Sequence, residues 1–146
     1  MQRYGVTREP LRHGALPRLI GYRLRLAQQA VFGDFASTVE GITPGRIGML
    51  ILVDANPGVT QSRLAEAVQR DRSTMVGVLD DLEGRGLIER RRGEDRRTNG
   101  LWLTRAGRGF LVRALRQIAA HERRIAARLT RTERAQLLAL LEKIAR

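Results

Sequence analysis

The chain has 146 residues, 42% of them apolar, enough to enclose one core in a single domain spanning 1–146. Its 27 basic residues against 15 acidic ones give a net charge of +12, and all of the basic set except Lys143 are arginines, the side chain suited to bidentate contacts with phosphate and guanine. The lack of cysteine excludes a disulfide framework, a thiol switch and a cysteine zinc site, and the longest apolar run, Met49 to Val53, falls far short of the roughly 20 residues that span a bilayer, so no membrane partner is expected.

Met1 to Ala15 shows no sustained period and holds Gly5, Pro10 and Gly14, which predicts an irregular arm without the apolar core of a secretory signal; a cytoplasmic protein is expected. From Leu16 onward Leu19, Ile20, Leu24, Ala27, Val31 and Phe35 recur at helical spacing. They predict a first helix reaching about Val39, some 24 residues and about 36 Å long at ~1.5 Å per residue. Thr43 should cap a second helix with Pro44 at its first position and Ile47, Leu50 and Ile51 facing inward, ended by Asn56-Pro57-Gly58. Thr60 should cap a third, with Val59 and Leu64 as the two ends of a hydrophobic staple and Ala65 and Val68 also inward. Asp71 is the expected cap of a fourth helix, in which Met75, Val78, Leu79 and Leu82 share one face while Ser73, Gly77 and Asp80 lie opposite, with Val76 beside them.

Gly84-Arg85-Gly86 stops that helix, Leu87 to Arg92 reads as a strand, and Leu101 to Leu103 returns with Leu101 and Leu103 on one side and Trp102 on the other. A fifth helix is predicted from near Thr104 through Leu111, Leu115, Ile118, Ile125 and Leu129, with Glu122 at the intermediate step. Thr130 and Glu133 form a capping-box pair for a sixth, whose Leu137, Leu138, Leu141, Ile144 and Ala145 carry more apolar surface than its own length can hide.

Helix, glycine stop, strand, arginine-loaded turn and return strand, in that order over 71–104, predict a mainly α fold with a small β-hairpin wing: a winged helix-turn-helix, occupying 43–104. Such a unit suits double-stranded DNA, because a helix fits the major groove while the hairpin carries arginines over the backbone toward the minor groove. Arg72, Ser73 and Thr74 can reach a base edge or a phosphate, or serve only as first-turn caps, and Val76 and Gly77 lie on or beside the outward face. Arg90, Arg91, Arg92 and Arg96 read as phosphate neutralisers. The unsatisfied apolar surface of 11–42 and 105–146 calls for an identical chain, so a homodimer is expected.

The ordered set resembles the multiple-antibiotic-resistance regulator (MarR) family of bacterial transcription factors, over nearly everything from Leu16 to Ile144. The resemblance rests on Asp71-Arg72-Ser73-Thr74 through Leu82-Glu83, on Gly86-Leu87-Ile88, and on Asp95-Arg96-Arg97 followed by Leu103-Thr104-Arg105-Ala106-Gly107. It implies a triangular MarR-like dimer whose terminal helices form the two-fold interface, with two winged units on a pseudo-palindrome and a ligand pocket between the dimerisation helices and the DNA-binding part. It further implies that Arg97 enters the minor groove, that Asp95 braces the wing, and that Gln61, Ser62 and Arg63 clamp the backbone. Gly77 departs from relatives that carry a longer polar side chain there. The function so implied is a ligand-responsive regulator, most often a repressor in this family. No cofactor is implied, but a small anionic aromatic effector is, with Arg18, Arg23 and Arg25 as partners for its carboxylate and Tyr22, Phe32 and Phe35 lining its cleft. A basic nucleoid-type protein with little sequence preference is the alternative.

Catalysis finds no support: there is neither a phosphate loop nor a nucleophile elbow, and His13 and His121 lie far apart and outside any metal-ligand spacing. Both are expected to be surface or packing residues.

Overall fold

Threonine side chains begin four of the helices. Thr43 Oγ1 accepts the Arg46 N–H and Thr60 Oγ1 that of Arg63, each at a long 3.4 Å; Thr104 accepts from Gly107 at 2.9 Å and Thr130 from Glu133 at 3.2 Å. In the last case the Glu133 carboxylate also accepts the Thr130 N–H at 2.8 Å, completing the capping box, and that backbone bond holds Glu133 below the usual glutamate range.

The computed structural model describes residues 10–68, 72–93 and 98–146. A 3₁₀ turn, Leu16–Arg18, precedes α1 (Ile20–Thr38), α2 (Pro44–Ala55), β1 (Val59–Thr60), α3 (Gln61–Ala67), α4 (Arg72–Gly84), β2 (Ile88–Arg92), β3 (Asn99–Leu103), α5 (Arg105–Ile125) and α6 (Arg131–Ile144). The first helix is therefore shorter than its periodicity predicts. Leu19 adopts an extended conformation and its N–H closes a tight bond to the Leu16 carbonyl at 3.0 Å, so the α-helix starts afresh after it. Asp71, the expected cap of α4, lies outside the described residues.

The wing is part of a three-stranded antiparallel sheet in the order β1-β3-β2, with Val59 opposite Leu101 and Ile88 opposite Leu103. Val59 is thus a strand residue as well as a buried one, where the sequence predicts only a staple; a two-residue strand is too short for alternation to reveal. Leu101 and Leu103 point into the core and Trp102 away from it, as their alternation predicts.

The core lies where α2, α4, α5 and the sheet meet, with Leu50, Leu79, Leu82, Met75, Ile88 and Leu101 essentially fully enclosed, each removal from water contributing about 1.5–3 kcal/mol. Ile51, expected inward, is exposed, while Met49 is buried. A Schellman stop ends α4: Gly86 has φ 69°, its N–H reaches the Glu83 carbonyl at 2.8 Å, and the Leu87 N–H reaches Leu82 at 3.0 Å. The chain then turns back so closely that a Cβ on Gly107 would lie 1.9 Å from the Leu87 carbonyl oxygen. Among the described residues no helix is long and apolar enough to cross a membrane.

Candidate nucleic-acid interface

α3 and α4 pack against each other, with Leu64 and Met75 buried in the core and the first turn of α3 and the outer face of α4 largely exposed. Ser62 and Arg63 are exposed and Gln61 half-buried. Gln61 and Ser62 share a polar cleft of about 310 Å³ with Arg90, Thr98 and Asn99, between the start of α3 and the sheet. On α4, Thr74, Val76 and Gly77 are exposed. The side chains of Arg72 and Ser73, and Asp95, Arg96 and Arg97 entirely, lie outside the described residues.

Arg90 departs from the expected role of phosphate neutraliser. Its side chain is only 23% exposed, and its guanidinium lies 2.7 Å from the Asp80 carboxylate and holds Glu83 as well, so two carboxylates of α4 already occupy its charge. The register of β2 causes this, because Arg90 stands opposite Leu101 on the side of the strand that meets α4. Arg91 pairs with Glu89 and lies over the Trp102 ring, 5.3 Å from its centroid. Arg92 is exposed and forms no ion pair with a described residue. The third carboxylate of α4, Asp81, lies 2.7 Å from Arg46 of α2; Arg85 then donates to the Gly41 carbonyl at 2.7 Å and stacks toward Phe110 of α5. Ion pairs therefore hold the helix on both flanks, to β2 and to α2.

A second cleft, about 280 Å³, opens between α1, α2 and α5, lined by Phe32, Phe35, Pro44, Ile47, Ile51 and His121 among others. Phe32 is 49% exposed in it, whereas Phe35 is a core residue whose ring meets the His121 imidazole edge-on at 5.5 Å. His121, only 3% exposed, places Nδ1 2.6 Å from Asp34, and the Arg124 guanidinium grips the same carboxylate through two bonds of 2.9 Å. The Arg124 bonds, then that of His121, hold Asp34 far below the usual carboxylate range, and Asp34 in turn raises Arg124. Arg18, Tyr22, Arg23 and Arg25 do not line this cleft, contrary to the expected grouping. Arg23 donates to the Pro17 carbonyl at 2.8 Å and Arg25 sits over the Tyr22 ring, so local partners hold them near the start of α1, well before Phe32 along the helix.

The family model described as the MarR family matches residues 42–98. A putative transcriptional regulatory protein for the hcr operon of Thauera aromatica is 40% identical over 138 residues, 92% of this chain and 83% of that protein. Two solved structures of the transcriptional repressor CouR superpose closely. The one bound to a 23-mer DNA duplex is 43% identical with a TM-score of 0.90, covering 94% of this chain and 100% of that one. The one bound to p-coumaroyl-CoA is 42% identical with a TM-score of 0.86, covering 94% and 99%. The chain belongs to the MarR family.

It is a DNA-binding transcriptional regulator with the winged helix-turn-helix architecture of MarR proteins. Within this MarR chain, the residues that sequence reasoning passed over are those that join its parts. Asp34 and His121 are individually unremarkable in sequence, 87 positions apart. A signal was present in the wheel of α1, where Asp34 lies between Val31, Phe35 and Thr38 on the inward side; a carboxylate so placed needs a cation. Arg46 and Asp81 had no comparable signal, since each belongs to an ordinary polar helix face.

Proposed function

We propose that the protein acts as a homodimer that represses transcription from a pseudo-palindromic operator and leaves it on binding a small effector. The observation that carries the dimer is α6, which buries no residue within its own chain and leaves Leu137, Leu138, Leu141 and Ile144 exposed, Leu138 at 61%. With Leu24 and Val31 of α1 and Ile125 of α5, this helix borders an apolar groove of about 480 Å³, a surface that a second copy would cover. In this reading 43–104 is the DNA-binding part and 11–42 with 105–146 form the dimer, all within one domain; the protein works in the cytoplasm, where its DNA lies.

At each half-site, α4 would enter the major groove with Arg72, Ser73, Thr74, Val76 and Gly77, and Gln61, Ser62 and Arg63 would hold the backbone. Arg92 and Arg96 would neutralise phosphates, with Arg97 in the minor groove and Asp95 bracing the wing. Arg90 would act indirectly, by fixing β2 to α4.

The cleft lined by Phe32, Phe35 and His121 is the seat assigned to the effector. Its apolar walls suit an aromatic ring, and the CouR complex with p-coumaroyl-CoA makes aromatic acyl thioesters the first class to test. An effector that fits only one spacing of the two reading heads would shift the population away from the DNA-matched one.

Sedimentation with footprinting tests the proposal. A dimer at micromolar concentration, protecting half-sites about 10 to 10.5 base pairs apart and displaced by p-coumaroyl-CoA or by a free aromatic acid, is the expected result. A monomer, even with DNA present, would overturn the dimer; a protected site that neither compound releases would overturn the effector class.

A further inference from the structure

On α4 the side chains divide cleanly by their surroundings. Met75, Leu79 and Leu82 are fully buried, and Val78 packs against the core. The acidic residues are committed: Asp80 and Glu83 to Arg90, Asp81 to Arg46. Val76 belongs to neither group. It is 39% exposed, packs into no described cluster, and is followed by Gly77, where an added Cβ would meet nothing within 4 Å. The outer surface of the helix around Val76 is therefore open, beside a position that has no side chain at all.

Valine is an unfavourable choice for such a place. A β-branched residue lowers helix propensity, and its exposed methyls gain nothing from water. In the major groove, however, one base presents an apolar group at its edge: thymine, through its C5-methyl. The missing side chain at Gly77 lets the helix backbone lie closer to the base edges, which brings the short Val76 side chain within van der Waals reach. Each of the three carboxylates is held by an arginine, so the flank beyond Val76 carries little net repulsion toward the phosphates.

We propose that Val76 is a specificity-determining residue that selects thymine in each half-site by apolar contact with its C5-methyl. The inference rests on the reading of α4 as the helix that enters the major groove.

The test starts from a duplex selected by repeated binding of the full-length protein to a random pool. Thymines of that duplex are then replaced one at a time by deoxyuridine, which removes the methyl and leaves every hydrogen-bonding group in place. For the wild type, one position per half-site should lose about four-fold in affinity, and the two together about fifteen-fold, the effect of one buried methyl counted once and twice. In Val76→Ser and Val76→Asn, which change an exposed position and carry no methyl group, that sensitivity should disappear at the same position while other substitutions keep their effects.

A wild type indifferent to every replacement overturns the proposal, as does a sensitivity of equal size in wild type and both variants. If no sequence is enriched over random DNA, the regulator reading itself fails at the first step. The two failures are therefore distinguishable.

Discussion

Two glycines show how differently the same residue can be used. Gly107 lies where α5 starts against the end of α4, with no room for a methyl, so Gly107→Ala must force the Leu87 carbonyl aside. We expect a loss of about 3 kcal/mol or more, the upper range for point changes, seen as a large drop in melting temperature. Gly77 is the opposite case: open space surrounds it, so Gly77→Ala should raise stability by about 0.5–1 kcal/mol through helix propensity alone. A destabilised Gly77→Ala protein would show that α4 is not helical there in solution. At Asp34 the expected effect is one of pH. Its carboxylate titrates below its unfolded value, so its contribution is fully present above about pH 4 and fades as the pH falls further. In denaturant titrations across pH, wild type should exceed Asp34→Asn by a margin that narrows on acidification below about pH 4. A margin unchanged at low pH would mean that the Arg124 and His121 contacts do not form in solution.

Arginines of the wing that look alike in sequence become distinct once the sheet register is known. Arg90 and Arg92 alternate with Arg91 along β2, yet Arg90 is spent on α4 and Arg92 is exposed. Arg92→Ala should therefore reduce the slope of log affinity against log salt by about 1, whereas Arg90→Ala should leave the slope alone and weaken all sequences by disturbing the angle between wing and helix. Equal slope changes for the two would return Arg90 to the phosphate-binding set. For Arg97 the expected loss in Arg97→Ala is roughly 1 to 3 kcal/mol on one operator at fixed salt, with partial recovery in Arg97→Lys, against little change in Arg131→Ala at the start of α6. Small equal losses at Arg97 and Arg131 would leave the turn as a solvated charge run.

The same comparison explains what could be read in advance. Caps at Thr43, Thr60 and Thr130 were legible because capping is local chemistry, and so was the hairpin, whose alternation at Leu101, Trp102 and Leu103 spans only three residues. The pairing of Arg90 with Asp80 depends on a strand register, and that of Asp34 with His121 on the packing of two distant helices. Neither is encoded at any fixed spacing. The cleft beside His121 is a similar case: Phe32 and Phe35 share a helix face, but that Arg18, Arg23 and Arg25 do not line it could only be seen in three dimensions.

At the scale of the molecule the apolar surface of α6 governs assembly. Leu138→Asp should place a charge in the expected two-fold interface and yield a monomer by sedimentation at micromolar concentration, which grips a two-half-site duplex far more weakly than the wild type does and little better than a single half-site. An unaltered dimer would move the interface elsewhere. Intact dimers should lose about 10³ to 10⁵ in affinity between 50 and 200 mM salt if six to ten phosphates are contacted.

The close approach of Gly107 to Leu87 has a mechanical side. Thr104 Oγ1 donates to the Gly86 carbonyl at 2.6 Å and the Thr104 N–H reaches Leu87 at 3.1 Å, so the end of α4 and the beginning of α5 are welded at one point. At the other end of α5, His121 and Arg124 fasten it to α1 through Asp34. From Thr104 to His121 the helix forms a lever of about 25 Å at ~1.5 Å per residue. A tilt of about 10° around the α1 end would carry the weld, and α4 with it, about 4 Å, more than the ~3.4 Å of DNA axis that each phosphate of a strand occupies. A guest molecule lodged beside His121 sits next to the fulcrum, where a displacement too small to disturb the packing can put a reading head out of step with its groove.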